Sequence, residues 1–183
     1  NRVFVNSVGQ FIAFLDADDL WKPEKLESQL NALQSHSQAA VAYSWTDYID
    51  ESGSFLKQGG RVIFHGDVYP KLLVRNFLEN GSNPLIKREA INEVGGFDES
   101  LKGGQDWELF LRLGAKYQFV AVEKPQILYR FSSSSISSNT LRQEAECLKV
   151  IESAFEGAPA SLQYLKKHSL ANIYKYLACK TID

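Results

Sequence analysis

Apolar positions recur along this chain with two periods, and the switches between them mark out the elements. Residues 10–15 (QFIAFL) form a compact apolar run ending in acidic residues, the pattern of a buried strand. Pro23 opens a predicted helix to about Ser35, with Leu26, Leu30 and Leu33 as its apolar stripe. Residues 39–43 read as a second buried strand, and residues 48–57 as a hairpin turning at Glu51-Ser52-Gly53. Asp67 is placed to cap a short helix at 70–77. A short strand is expected at 84–87, and a helix at 88–94 halted by Gly95-Gly96. Trp107, Phe110, Leu111 and Leu113 give a helix at 107–116, and strands at 119–122 and 126–131 complete the sheet.

The serine-rich stretch 132–139 has little to bury. Beyond it, Leu141, Ala145, Leu148 and Phe155 recur at helical spacing. After Gly157 and Pro159, so do Leu162, Leu165, Ser169, Ile173 and Leu177. That predicts a helical hairpin. The whole reads as an α/β layered domain at 1–139 followed by a helical extension at 140–183.

Composition narrows the classes. With 44% hydrophobic and 23% charged residues, the chain can build a core and is not a disordered polymer. A net charge of −2 gives no footprint for nucleic acid and no reason to expect an anionic membrane surface. The longest apolar runs, FIAFL and AAVAY, are far too short to span a bilayer, so no transmembrane segment is expected. The first residues lead into no signal-peptide pattern. Cys147 and Cys179, far apart, are expected as buried free thiols in a reducing compartment, which places the chain in the cytoplasm.

Chemistry first suggests itself at Leu15-Asp16-Ala17-Asp18-Asp19. On an extended chain Asp16 and Asp18 face the same way, and two close carboxylates favour a hard divalent ion between them. The plainer alternative is a solvated turn, with Asp19 capping the next helix. A strand ending in Asp-x-Asp also resembles the nucleophile motif of haloacid-dehalogenase-type phosphatases, but Leu20-Trp21-Lys22-Pro23 leads straight into a helix and argues against it. A second acidic site follows: Gly95-Gly96-Phe97-Asp98-Glu99, then Gly103-Gly104-Gln105-Asp106-Trp107. Asp106 at a helix start is stabilised in its charged form, whether as a simple cap or as a base.

In their order and intervals, FIAFLDADDLWKPEKLESQL and SNPLIKREAINEVGGFDESLKGGQDWELFLRL resemble the family 2 glycosyltransferases of GT-A fold. The resemblance covers residues 1 to about 139, with Asn1-Arg2, Gly9 and Phe11-Ile12 matching the helix that leads into the family's DxD strand. It implies a partial GT-A mixed sheet flanked by helices. It also implies a nucleotide-binding half supplied by polypeptide preceding this stretch, so that base and ribose recognition fall largely outside it.

The same resemblance implies an inverting transfer from a nucleotide-sugar to a hydroxyl acceptor. Asp16 and Asp18 would hold Mn²⁺ or Mg²⁺, and Asp106 would act as base. Gln105 replaces the family's usual Glu, and Ser132 stands where many relatives place a His after a Leu-Tyr-Arg strand. Gln105, Trp107 and Arg130 are candidate substrate contacts, although a core position is the more expected place for Trp107 and a structural ion pair suits Arg130 equally well. His36, His65 and His168 are expected at the surface or in structural roles. The serine stretch occupies the place of a lid. A truncated sheet leaves an unpaired edge that favours self-association. The rival function is a non-catalytic GT-A remnant that associates through its helical tail.

Overall fold

The computed structural model describes residues 1, 6–132 and 140–180. Residues 2–5, most of the expected leading helix, lie outside the described residues, as do 133–139, the bulk of the expected lid.

The sheet is built on β3 (Ala39–Ile49) and β6 (Gln118–Arg130), which pair in parallel along most of their lengths. Both are longer than the pattern predicts. β3 absorbs the first arm of the hairpin, whose second arm is β4 (Phe55–Gln58). β6 joins two expected strands, because Glu123, Lys124 and Pro125 read as a break but form an irregularity opposite Ser44 and Trp45. A bulge absorbs a proline and two charges without ending the pairing.

β1 (Phe11–Ala13) pairs antiparallel with β5 (Leu85–Lys87), and β5 pairs antiparallel with β3. β1, β3 and β6 therefore run the same way, and their carboxyl ends share one edge. β2 (Leu20–Trp21) closes the far side against β6, giving the order β1-β5-β3-β6-β2.

Helix α1 (Lys25–Ser35) covers one face, its Leu33 clustered with Ala39, Ala42, Leu85 and Val120. Its buried positions are Lys25, Gln29 and Leu33, while Leu26 of the expected stripe is 46% exposed. The other face carries α2 (Tyr69–Val74), α3 (Arg88–Val94) and α4 (Gln105–Gly114) over the main core. Leu72, Leu73, Leu78, Ile91, Leu109 and Leu113 are fully buried there, each worth about 1.5–3 kcal/mol. α3 ends as predicted on Gly95, whose φ of 87° suits glycine.

The tail forms α5 (Thr140–Gly157), a 3₁₀ turn (Ala160–Leu165) and α6 (Lys166–Lys180). Val150, Ile151, Phe155, Ile173 and Leu177 enter the same core cluster as the sheet. The face of α5 is rotated from the expected one, since Leu141 is 80% exposed while Glu146 is 6% exposed. Cys147 is half-buried and Cys179 exposed, where both were expected to be buried. No helix among the described residues is long and apolar enough to cross a membrane.

Candidate functional site

The site lies at the shared carboxyl edge of β1, β3 and β6, where ligands of open α/β sheets gather. Its aspartates are not on extended chain as predicted. The backbone turns at Ala17 and Asp18, closed by Asp19 N–H donating to Asp16 O at 3.1 Å. Asp16 and Asp18 nevertheless stay close enough to sense each other. Burial first, and then the charge of Asp18, holds the Asp16 carboxyl above its usual range. Both side chains reach solvent.

Asp19 has a different task from the cap proposed for it. It is 4% exposed and accepts from Ser82 Oγ at 2.6 Å and from the Arg130 backbone N–H at 3.0 Å. Burial pushes its pKa up to about 6 against those two hydrogen bonds. It locks the turn to the end of β6. Arg130 completes the lock, donating from its guanidinium to the carbonyls of Asp18, Asp50 and Glu51 at 2.8–2.9 Å. These are backbone contacts, so Arg130 shapes the site wall and forms no structural ion pair among the described residues.

The segment 76–83 (NFLENGSN) is the keystone, and the pattern of the chain did not mark it. Ser82 Oγ accepts from Asp16 N–H at 3.0 Å while donating to Asp19. Ser82 O accepts from Trp21 Nε1 at 2.8 Å. Asn83 pairs with both backbone groups of Ser44 at 2.8 Å, as a neighbouring strand would. Asn80 donates to Thr46 Oγ1 at 3.0 Å. Glu79 adopts φ 73°, unusual for a residue with a side chain, and accepts from Gly60 N–H at 2.7 Å. Only the density of Asn, Gly and Ser could have singled this run out, and it reads as an ordinary loop.

Within that segment Gly81 separates the two acidic sites. A methyl group there would lie 3.7 Å from Asp106 Cβ and 4.0 Å from Asp16 Oδ2. Asp16, rather than Asp18, is thus the carboxylate brought beside Asp106. Asp106 sits in the first turn of α4, after Gly104 at φ 71°. Asn76 Nδ2 donates to its Oδ2 at 3.1 Å. Burial raises the Asp106 pKa to about 6, opposed by the Trp107 N–H and Asn76 hydrogen bonds.

The neighbours of Asp106 are structural. Gln105 Nε2 donates to Leu101 O at 2.9 Å. Trp107 is 5% exposed and donates to Leu72 O at 2.9 Å, so its ring offers no platform for a sugar. The tail reaches in here too. Glu146 accepts from Lys102 N–H at 2.8 Å and packs under Gly103, fixing the loop that leads to Asp106. Ser132 Oγ donates to Glu51 Oε1 at 2.7 Å. His36, His65 and His168 are exposed and away from these contacts.

The acidic turn fits an open cation site. Two solvent-reaching carboxylates suit Mg²⁺ or Mn²⁺ that fills its shell with phosphate oxygens and water. A closed cage is not expected from them, and no group of three or more potential ligand side chains occurs among the described residues.

The family model for "Glycosyltransferase like family 2" matches residues 1–181. The chain belongs to that family. It is 25% identical over 168 residues to an uncharacterized glycosyltransferase of Methanocaldococcus jannaschii, covering 91% of this chain and 55% of that protein. It is 30% identical over 146 residues to the putative teichuronic acid biosynthesis glycosyltransferase TuaG of Bacillus subtilis, covering 76% and 54%. Escherichia coli WfgD, a UDP-Glc:alpha-D-GlcNAc-diphosphoundecaprenol beta-1,3-glucosyltransferase, is 26% identical over 179 residues, or 96% and 67%. S. aureus TarS 1-349 in complex with UDP shares the fold at TM-score 0.62 and 16% identity, over 95% of this chain and 48% of that one. The family 2 chain described here thus spans about half the length of several proteins it matches.

Proposed function

We propose that this chain is the acceptor-side part of a metal-dependent, inverting sugar transferase that uses a nucleotide-diphosphate donor. The observation carrying the reading is that the two acidic sites meet at Gly81, where an added methyl would touch Asp106 Cβ at 3.7 Å and Asp16 Oδ2 at 4.0 Å. In this reading an acceptor hydroxyl meets Asp106, which takes its proton as the oxygen attacks the anomeric carbon. The bond from that carbon to the diphosphate breaks on the opposite face, and a single displacement inverts the configuration. Asp16 and Asp18 would hold the divalent ion, which supplies Lewis-acid neutralisation of the leaving diphosphate. The names of TarS with UDP and of WfgD support a uridine-diphosphate donor and a saccharide hydroxyl as acceptor. The thiols accord with a cytoplasmic setting.

Donor recognition is proposed to need a further stretch of sheet. Among the described residues β1 ends the strand order, with one edge unpaired. Beside it an apolar groove of about 360 Å³, lined by Phe11, Trp21, Leu26 and Leu30, explains why Leu26 is on the surface. A preceding strand and helix would cover both, and a second copy could use the same edge.

Calorimetry with Mn²⁺ and a panel of nucleotide-sugars, on this chain and on a version extended at its N-terminus, tests the reading. Binding by the extended form with Asp18→Asn silent supports it. Silence across the panel by every form favours a non-catalytic module instead.

A further inference from the structure

The net charge of −2 hides a segregation that the fold makes visible. Residues 158–179 hold Lys166, Lys167 and Lys175 and no carboxylate, and residues 68–78 hold Lys71 and Arg75 and no carboxylate. The fold brings these two stretches together. Lys71 on α2 and Arg75 just after it line a cavity of about 290 Å³ with Phe64 and with Tyr164 and Leu165 of the 3₁₀ turn. α6 turns Ser169, Ile173 and Leu177 inward and leaves Lys167, His168, Tyr174 and Lys175 exposed. Tyr164 is 62% exposed and Tyr174 51%. Neither Lys71, Arg75, Lys167 nor Lys175 is in an ion pair among the described residues. Among the described residues of the tail the carboxylates, Glu144, Glu146, Glu152 and Glu156, all belong to α5.

We infer that this face, formed by α2, the 3₁₀ turn and α6, docks on an anionic lipid bilayer. Clustered cations are drawn to a negatively charged leaflet by roughly fivefold in partition for each Lys or Arg near it. Exposed tyrosines suit the headgroup layer, because each has an apolar body and a polar tip. Phe64, at the floor of the cavity and capped by Lys71 Nζ at 5.5 Å, gives one headgroup an apolar wall and two cations.

The position also makes mechanical sense. Asn76, which holds Asp106, directly follows Arg75, and Trp107 of the base-bearing helix is tied to Leu72 of α2. A docked α2 therefore lies one turn of chain from the proposed base. The surface does not depend on the sugar-transfer reading, since it involves neither Asp16, Asp18 nor Asp106.

Vesicle sedimentation of the present chain tests it, with vesicles of phosphatidylcholine alone and with about a third phosphatidylglycerol. Partition onto the anionic vesicles is expected, falling at least tenfold when salt is raised from about 0.1 M to about 0.5 M. Lys71→Glu/Arg75→Glu and Lys167→Glu/Lys175→Glu should each lower it at least tenfold. Lys87→Glu/Lys124→Glu, away from the face, should not. Tyr164→Ser/Tyr174→Ser should weaken binding with the salt dependence retained. Thermal unfolding of each variant confirms that it is folded. Equal binding to both vesicle types, no binding to either, or equal losses in the control pair overturns the inference. So does a preference for a single-stranded oligonucleotide over the anionic vesicles.

Discussion

Asn76 lends its side-chain N–H to the carboxylate of Asp106 at 3.1 Å, and that bond opposes the burial that lifts the carboxyl to about pKa 6. A base must be unprotonated to work. Transfer by an active, donor-completed form should therefore fall about tenfold per pH unit below about 6. Asn76→Leu should move that acid limb to higher pH while leaving the plateau reachable. The pH–rate profiles of the two proteins check this.

Asp106→Asn should leave donor binding intact and lower kcat by about 10²–10⁴-fold, the usual worth of general-base help. Steady-state rates alongside calorimetric binding separate the two effects. Retention of the full rate would remove Asp106 from the mechanism.

The same substitution should change stability with a definite sign. The folded-state pKa of Asp106 lies above its ordinary 3.8, so between pH 3.8 and about 6 the folded chain binds more protons than the unfolded one. Its contribution to stability is therefore lost as pH rises through that window. Asp106→Asn should be more stable than the wild type at pH 7, by on the order of 1 kcal/mol, and no more stable at pH 4. Denaturant melts at both pH values read it.

Lys25 offers the opposite slope. It is fully buried, its Nζ has no hydrogen-bond partner among the described residues, and it stands 3.9 Å from the centre of the Trp21 ring. Burial lowers its pKa from 10.5 to about 7. Between those values the unfolded chain binds the extra proton, so the cost of burying Lys25 fades as pH rises from about 7 to 10.5. Lys25→Met should stabilise the protein by about 1–4 kcal/mol at pH 7, and the gain should shrink towards pH 10. Thermal unfolding across that range checks the trend.

How far the chain could be read in advance followed the kind of signal each element carries. Helices α1 and α3, the hairpin at Gly53 and the acidic strand end were legible because periodicity and turn chemistry are local. The inward face of α1 was misjudged because Lys25 and Gln29 are polar, and only tertiary contacts bury them. Gln29 donates to Ser44 Oγ and to Asn83 O, partners 15 and 54 residues away. Asp16 and Asp106 were legible as chemistry through the family resemblance. Ser82, Asn76 and Gly81 were not, because their roles rest on contacts with residues 25 or more positions away.

Ser82→Ala is the corresponding test of the hidden keystone. It would leave Asp19 with one hydrogen bond fewer and the Asp16 N–H without its acceptor. A loss of about 1–3 kcal/mol is expected from a buried group deprived of its partner. Ser82→Thr should recover much of it, as denaturant titration of both variants would show.

The most direct measurement is paramagnetic broadening of amide NMR signals by Mn²⁺ added with UDP to the N-terminally extended form. The account predicts loss of signal at residues 16–19, at Gly81 and at Asp106 together, restored in Asp16→Asn/Asp18→Asn. Broadening of the acidic turn with Gly81 and Asp106 untouched, or no broadening at either place, would contradict a single site shared by Asp16 and Asp106.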